Sequence, residues 1–302
     1  MIYPDVQSWK LTSNFPLTRV GTTGLKLPFK VKRPDGVHVL IPELSVFVDL
    51  PPELKGSHMS RNIEIVSAVR RSDEEFSSLE DICEKVSALL LEKHEYAQSS
   101  EVTMKADYFL DRTSPEGRVS TEHYVLVAEA VSRWGEGKTL ETTKLIGVEV
   151  TGMTACPCGM ETTRAIYMGG KEGDGNNCPS VTHNQRNVSK LFVETPAGVS
   201  IEANELITIV EAALSSPSFG ILKRRDEAAV IWNAHNNPKF VEDVVRDILA
   251  GVVRRYQELP NEAVVTASST SFESIHKHDA FAESVIKMKE LRAIYLQGQE
   301  QD

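Results

Sequence analysis

The stretch N-P-K-F-V-E-D-V-V-R-D-I-L-A-G-V-V-R-R-Y, Asn237–Tyr256, decides the fold class. Phe240, Val244, Ile248 and Val252 form one i,i+4 row, and Val241, Val245, Leu249 and Val253 form the next. That spacing predicts a helix over Pro238–Tyr256. Asn237 stands at its cap and Pro238 at its first position, where the missing N–H costs nothing. So broad an apolar stripe must pack on something flat, and a sheet is the surface that fits.

Working outward, Glu262–Ser269 reads as a strand after that helix. Before it, Asn204-Glu205 can cap a helix that ends ahead of Pro217, and Glu141–Val150 and Asn187–Glu194 read as strands flanking a cysteine-bearing loop. In the first half, turn chemistry at Pro34-Asp35-Gly36 leads into Val37–Leu50, rich in β-branched and apolar residues and ended by Pro51-Pro52. Ser72 with Glu75 three residues on makes a capping box. Phe76, Leu79, Cys83, Val86 and Leu90 then predict a helix near Asp73–Glu95, with Cys83 in the core. Glu101–Leu110 and Arg118–Val131 are strand-like, with turn chemistry at Ser114-Pro115-Glu116-Gly117 between them. Strands, helix and hairpin, then the same again, predict two α+β halves, residues 1–145 and 146–302, without a strict sequence repeat.

A chain of 302 residues exceeds one typical domain. Its ordinary apolar fraction predicts order except in the polar tail Gln297–Asp302. The formal charge of −10 excludes general nucleic-acid binding but leaves room for a small anionic ligand in a locally basic cleft. No signal-like N-terminus and no membrane-length apolar run are present, so a cytoplasmic protein with no membrane partner is expected. In that compartment closely spaced cysteines bind metal or react.

Such cysteines occur in T-A-C-P-C-G, Thr154–Gly159, followed by a Gly-rich loop with Cys178 and by T-H-N-Q-R at Thr182–Arg186. Thiolates and an imidazole are ligands for zinc or another borderline divalent ion. One reading is a closed structural zinc site of Cys156, Cys158, Cys178 and His183. The other takes one cysteine and His183 as ligands, completed by a distant acid and His, with one position left open. His276 and His278 share a direction if their segment is a strand, and Glu273 joins them only through a bulge or turn. Lys223-Arg224-Arg225 and His58-Met59-Ser60-Arg61 are candidate anion sites. Glu242, in the first turn of the best helix, is favoured there by the helix dipole alone.

Six stretches in the same order as in a known family carry a resemblance. They are G-S-H-M-S-R-N (Gly56–Asn62), T-A-C-P-C-G, T-H-N-Q-R, R-R-D-E (Arg224–Glu227), N-P-K-F-V-E-D (Asn237–Asp243) and F-E-S-I-H-K-H (Phe272–His278). The chain resembles the archaeal, MptA-type branch of the GTP cyclohydrolases, type IB or GTP cyclohydrolase IV. The resemblance implies an α+β tunnelling fold (T-fold), in which tandem β-β-α-α-β-β units form an intersubunit barrel. The partners it implies are GTP and further copies of the chain, as a homodimer or homotetramer with interfacial active sites.

It further implies Cys156, His183, Glu227 and His276 as metal ligands and Cys158, Glu273 and His278 as surrounding catalytic groups. Glu242 becomes the carboxylate that accepts hydrogen bonds from the guanine N1–H and 2-amino group, replacing the dipole reading. Apart from the resemblance, His58, Arg61, Arg186, Lys223 and Arg224 are the candidate substrate-binding residues on their own chemistry. Cys178, in the long Tyr167–Ser180 loop, receives no role. Fe(II) is the expected ion, with Mn(II) or Zn(II) as alternatives. The implied reaction hydrolyses C8 of guanine, releases formate and yields 7,8-dihydroneopterin 2′,3′-cyclic phosphate and pyrophosphate, with dihydroneopterin triphosphate as the alternative product. A nitrile reductase of related fold, with a nucleophilic cysteine, is the rival enzyme.

Overall fold

The computed structural model describes residues 4–9, 15–33, 36–167 and 181–299. The first elements are strands β1 (Leu17–Lys26), β2 (Phe29–Arg33), β3 (Gly36–Leu40) and β4 (Glu43–Leu50), then helices α1 (Met59–Arg71) and α2 (Leu79–Lys93). Three long strands follow, β5 (Ser99–Thr113), β6 (Val119–Trp134) and β7 (Leu140–Ala155), and then α3 (Pro157–Tyr167) and β8 (Asn184–Pro196). The chain continues through α4 (Ala203–Ala213), β9 (Ser216–Pro217), α5 (Arg224–Asn236), α6 (Val241–Arg255), β10 (Val264–Ser271), β11 (Ala280–Lys287) and α7 (Met288–Gln299).

One sheet takes the order β1-β4-β5-β6-β7-β8-β10-β11, with β9 paired to β7, while β2 and β3 form a separate hairpin. The pairings β1·β4, β4·β5, β7·β9 and β10·β11 are antiparallel. The expectation of a tunnelling fold, tandem β-β-α-α-β-β units closing into an intersubunit barrel, is therefore corrected. The chain builds an α+β fold around one large sheet with β1 and β11 at its edges. Alternation along a strand fixes which face is buried; it carries no information on which distant strand lies alongside.

The chain forms two compact units, each drawn from three separated segments. The first comprises Met1–Asp107, Leu126–Ile146 and Glu194–Ser200. Here β4 alternates strictly, burying Leu44, Val46, Val48 and Leu50, and α1 and α2 pack on each other. Cys83 is fully buried in α2, as its place in the apolar row requires. The second unit comprises Tyr108–Val125, Gly147–Val193 and Ile201–Asp302. Here α6 buries Val241, Val244, Val245, Ile248, Val252 and Val253 against α4, β10 and β11. Each such side chain contributes about 1.5–3 kcal/mol on burial. The flat partner demanded by the broad stripe is this pair of strands together with α4.

Local competition between caps moved several boundaries. Ser72 does not start a helix; it is the C-cap of α1, which the sequence reading missed. The following helix starts only at Leu79, because Ser78 accepts the Asp81 N–H at 3.2 Å and Phe76 is held beside Val31 in a parallel bridge. Likewise Asn237 ends α5 instead of starting α6, whose N-cap Phe240 donates its N–H to Asp243 Oδ2 at 3.0 Å. The turn after β5 matches its chemistry: Gly117 N–H bonds to Ser114 O at 2.9 Å, and Gly117 takes a φ of +82°. Pro34 and Asp35 lie outside the described residues. Elements α5, β11 and α7 were not anticipated, and α7 carries Gln297–Gln299 into helix instead of a disordered tail.

Candidate active site

Three backbone hydrogen bonds gather the motif-bearing segments of the second unit. Cys156 N–H donates to His183 O at 3.0 Å, joining the end of β7 to the residue before β8. Phe272 N–H donates to Arg186 O at 2.9 Å, fastening the segment after β10 to β8. Lys239 N–H donates to Ala155 O at 3.0 Å, bringing the approach to α6, and with it Glu242, to the residue preceding Cys156.

Cys156 sits where β7 hands over to α3, and the Gly159 N–H in the first helical turn donates to its Sγ at 3.3 Å. Gly159 is required by close approach. A Cβ there would stand 2.7 Å from Thr182 Oγ1, 3.4 Å from His183 Cδ2 and 3.7 Å from Cys156 Sγ. The sulfur and the Cδ2 edge of the imidazole thus flank one spot. Cys158 is exposed, its Sγ 4.0 Å from Thr162 Oγ1.

Residues Phe272–Asp279 lie outside any strand, with a series of bends over Ser274–His278. The strand geometry expected for His276 and His278 is corrected, yet the bends stack the two rings at 5.1 Å and 19°. The His276 ring also stands 6.4 Å from that of His183, edge to face at 84°. The same bending folds Glu273 inward, with Oε2 3.7 Å from His183 Nδ1, while Ser274 Oγ lies 3.4 Å from the same nitrogen.

Other candidates stand apart. Glu227 is exposed on the first turn of α5, and it is the neighbouring Asp226 that is buried. Asp226 accepts from Ser114 Oγ at 2.6 Å and from the N–H groups of Lys223 and Glu116, with Arg118 at 2.8 Å. The Ser114 hydroxyl leads these contacts in holding the Asp226 carboxyl below its ordinary range. Glu242, Arg186, Lys223 and Arg224 are exposed. His58 and Arg61 belong to the first unit, where they line a cleft of about 640 Å³ with Ser60, Glu64, Lys93 and Tyr96. Cys178 lies outside the described residues. Among the described residues, no three His, Cys, Asp or Glu side chains come close enough to form a metal-holding group.

Sequence reasoning missed Gln185 and His235. Gln185 Oε1 lies 2.9 Å from His183 Nδ1, and Asn184 Nδ2 lies 3.0 Å from His235 Nε2, whose ring burial pushes toward neutrality. The available signal for Gln185 was its place two residues after His183, on the same face of an extended segment.

Comparison with known proteins matches residues 3–282 to the family described as type I GTP cyclohydrolase folE2. The chain is 40% identical to GTP cyclohydrolase MptA 2 of Methanocella arvoryzae, over 97% of this chain and 98% of that one. It is 38% identical to GTP cyclohydrolase MptA of Methanocaldococcus jannaschii, over 95% and 96%. Among solved structures it is similar to uricase from Arthrobacter globiformis, with a TM-score of 0.54, 8% identity and coverage of 92% and 95%. A uricase from Bacillus fastidious gives 0.50 and 10%, covering 91% and 95%. That likeness concerns fold alone. It supports an α+β chain with a large antiparallel sheet in place of the tandem-barrel expectation. No helix among the described residues is long and apolar enough to cross a membrane. The sequence match rules out the nitrile reductase alternative: the chain belongs to the type I GTP cyclohydrolase (folE2) family and is a GTP cyclohydrolase of pterin biosynthesis.

Proposed function

We propose that this chain is a metal-dependent enzyme of the type IB, or GTP cyclohydrolase IV, branch. In this reading it hydrolyses C8 of the guanine ring, releases formate and forms 7,8-dihydroneopterin 2′,3′-cyclic phosphate and pyrophosphate. The observation that carries the reading is the family match over residues 3–282, beside which Cys156 and His183 share a backbone bond and the His183 and His276 imidazoles stand 6.4 Å apart. To share an ion held at about 2.0–2.1 Å from each nitrogen, the two rings would close further on it. A thiol and two imidazoles suit Fe(II), Mn(II) or Zn(II), with Fe(II) the preferred occupant. Cys156, His183 and His276 would hold the ion, while Glu227, exposed on α5, stands apart from them within one chain. Bound there, the ion would supply Lewis acidity that lowers the pKa of water from roughly 15.7 to near 7.

The remaining chemistry belongs to the chain. Glu242 accepts from the guanine N1–H and 2-amino group and aligns C8, so a purine lacking that amino group binds poorly. His278, stacked on His276, passes a proton to the ring nitrogen as the C8–N bond opens, and Glu273 orients the groups around it. Arg186, Lys223 and Arg224 neutralise the phosphates, and His58 and Arg61 form a separate candidate anion site in the first unit. The enzyme works in the cytoplasm as a homodimer or homotetramer.

The test is an anaerobic assay with GTP and Fe(II), Mn(II) or Zn(II) in turn, measuring formate and the mass of the pterin. The expected result is formate with the cyclic phosphate. Formate with dihydroneopterin triphosphate would overturn the product assignment, and no formate with any ion would overturn the reaction.

A further inference from the structure

We propose that Gln185 is a positioning residue that fixes the tautomer and aim of His183 and couples that ring to Glu273. The inference rests on the reading of His183 as an ion ligand. Gln185 is buried at 8% exposure, between the imidazole on one side and a carboxylate on the other. Its Nε2 donates to Thr154 Oγ1 at 3.1 Å and to Glu273 Oε1 at 3.3 Å. A carboxylate oxygen accepts, so the NH₂ end of the amide must face it, and the carbonyl end must face His183. The 2.9 Å contact between Gln185 Oε1 and His183 Nδ1 then requires the ring proton on Nδ1. Nε2 is left as the lone-pair atom, on the Cδ2 side of the ring that flanks Cys156 Sγ. An amide in this place does what an outer partner of a ligating imidazole does: it sets tautomer and orientation together.

The amide is itself held. Thr154 Oγ1 shares a 2.8 Å hydrogen bond with Ser271 Oγ, which accepts from Asn187 Nδ2 at 3.1 Å. Asn187 also donates to Ser269 Oγ at 2.8 Å and accepts from Ser189 Oγ at 2.7 Å. Thr154, Asn187, Ser189, Ser269 and Ser271 are all buried. A satisfied polar network in a dry interior has one good arrangement, so it transmits rigidity from the sheet to the amide.

The test begins on metal-free wild-type protein labelled with ¹⁵N-histidine, where His183 is expected wholly as the Nδ1–H tautomer. Gln185→Leu removes both ends of the amide. It is expected to mix the tautomers, to weaken Zn(II) binding by about 10–100-fold in chelator competition, and to lower kcat for formate release with KM for GTP held. Gln185→Glu keeps the acceptor for His183 but opposes Glu273. It is expected to restore Zn(II) affinity to within a few-fold of wild type while kcat stays low. An Nε2–H tautomer in wild type, or wild-type Zn(II) affinity in folded Gln185→Leu, overturns the inference. If Gln185→Leu does not fold, the wild-type tautomer and Gln185→Glu decide it. Wild-type protein that binds no Zn(II) but shows the Nδ1–H tautomer would instead count against the metal reading.

Discussion

Cys156 and Cys158 lie one residue apart, but the junction of β7 and α3 gives them different surroundings. Cys156 receives a helix N-terminal amide and faces the His183 edge; Cys158 faces outward along α3. Cys156→Ala is therefore expected to lose the bound ion while Cys158→Ala keeps it, read as metal content after desalting. Full occupancy in Cys156→Ala would move the ligand assignment to Cys158. Glu242 gives the second prediction at this scale. It is exposed at the start of α6, free to meet a ligand edge. A carboxylate that accepts hydrogen bonds from a guanine is worth about 1.5–3 kcal/mol per bond, so Glu242→Ala should weaken GTP binding at least about tenfold by calorimetry, with metal content unchanged. Unchanged GTP affinity would refute the anchor role. Cysteine and histidine were legible because their side chains advertise ligand chemistry wherever they cluster. Gln185 was not, because an amide carries no such signature until its neighbours are known. The pair Asp226-Glu227 shows the same limit: two adjacent acids look alike in sequence, and only packing reveals that Asp226 turns inward to Ser114.

At the scale of elements, periodicity found the helices that bury an apolar row, α2 and α6, and missed those that do less of it. In α5 only Asp226, Val230 and Ala234 are buried, so its pattern resembles a solvated turn. Boundaries failed where two caps competed for one segment, at Ser72 against Ser78 and at Asn237 against Phe240. The middle of α6 was secure, since Ile248 is fully enclosed between that helix and its partners. Ile248→Ala should cost about 2–5 kcal/mol through lost transfer energy and the cavity left behind, measured by urea unfolding. A cost under about 0.5 kcal/mol, typical of a surface site, would mean that α6 is not seated as described.

At the scale of the whole molecule, strand neighbours were illegible from sequence because the order of a sheet depends on pairings between distant segments. Titration behaviour was illegible for a related reason: it follows from burial. Glu80 is buried, its Oε2 without a hydrogen-bond partner among the described residues, and burial raises its carboxyl from 4.5 to about 7. Burial raises Glu129 as well. His94 is buried between Asn62 and Tyr96, and burial pushes it from 6.5 down to about 4, with nearby Arg61 and His58 adding to the shift. His235 is pushed down in the same way. The signs oppose. Glu80 contributes stability that is complete below pH 4.5 and is lost as pH rises toward 7, because only the folded state keeps that proton. His94 penalises folding as pH falls from 6.5 toward 4, because only the unfolded state takes that proton up. Between pH 4.5 and 6.5 each group changes stability by about 1.4 kcal/mol per pH unit, in opposite directions. The wild-type urea midpoint should therefore be nearly flat across this window. Glu80→Gln should unmask the histidine, giving a midpoint that climbs with pH, and His94→Gln should unmask the carboxyl, giving one that descends. Three parallel profiles would show that folding shifts the pKa of neither group.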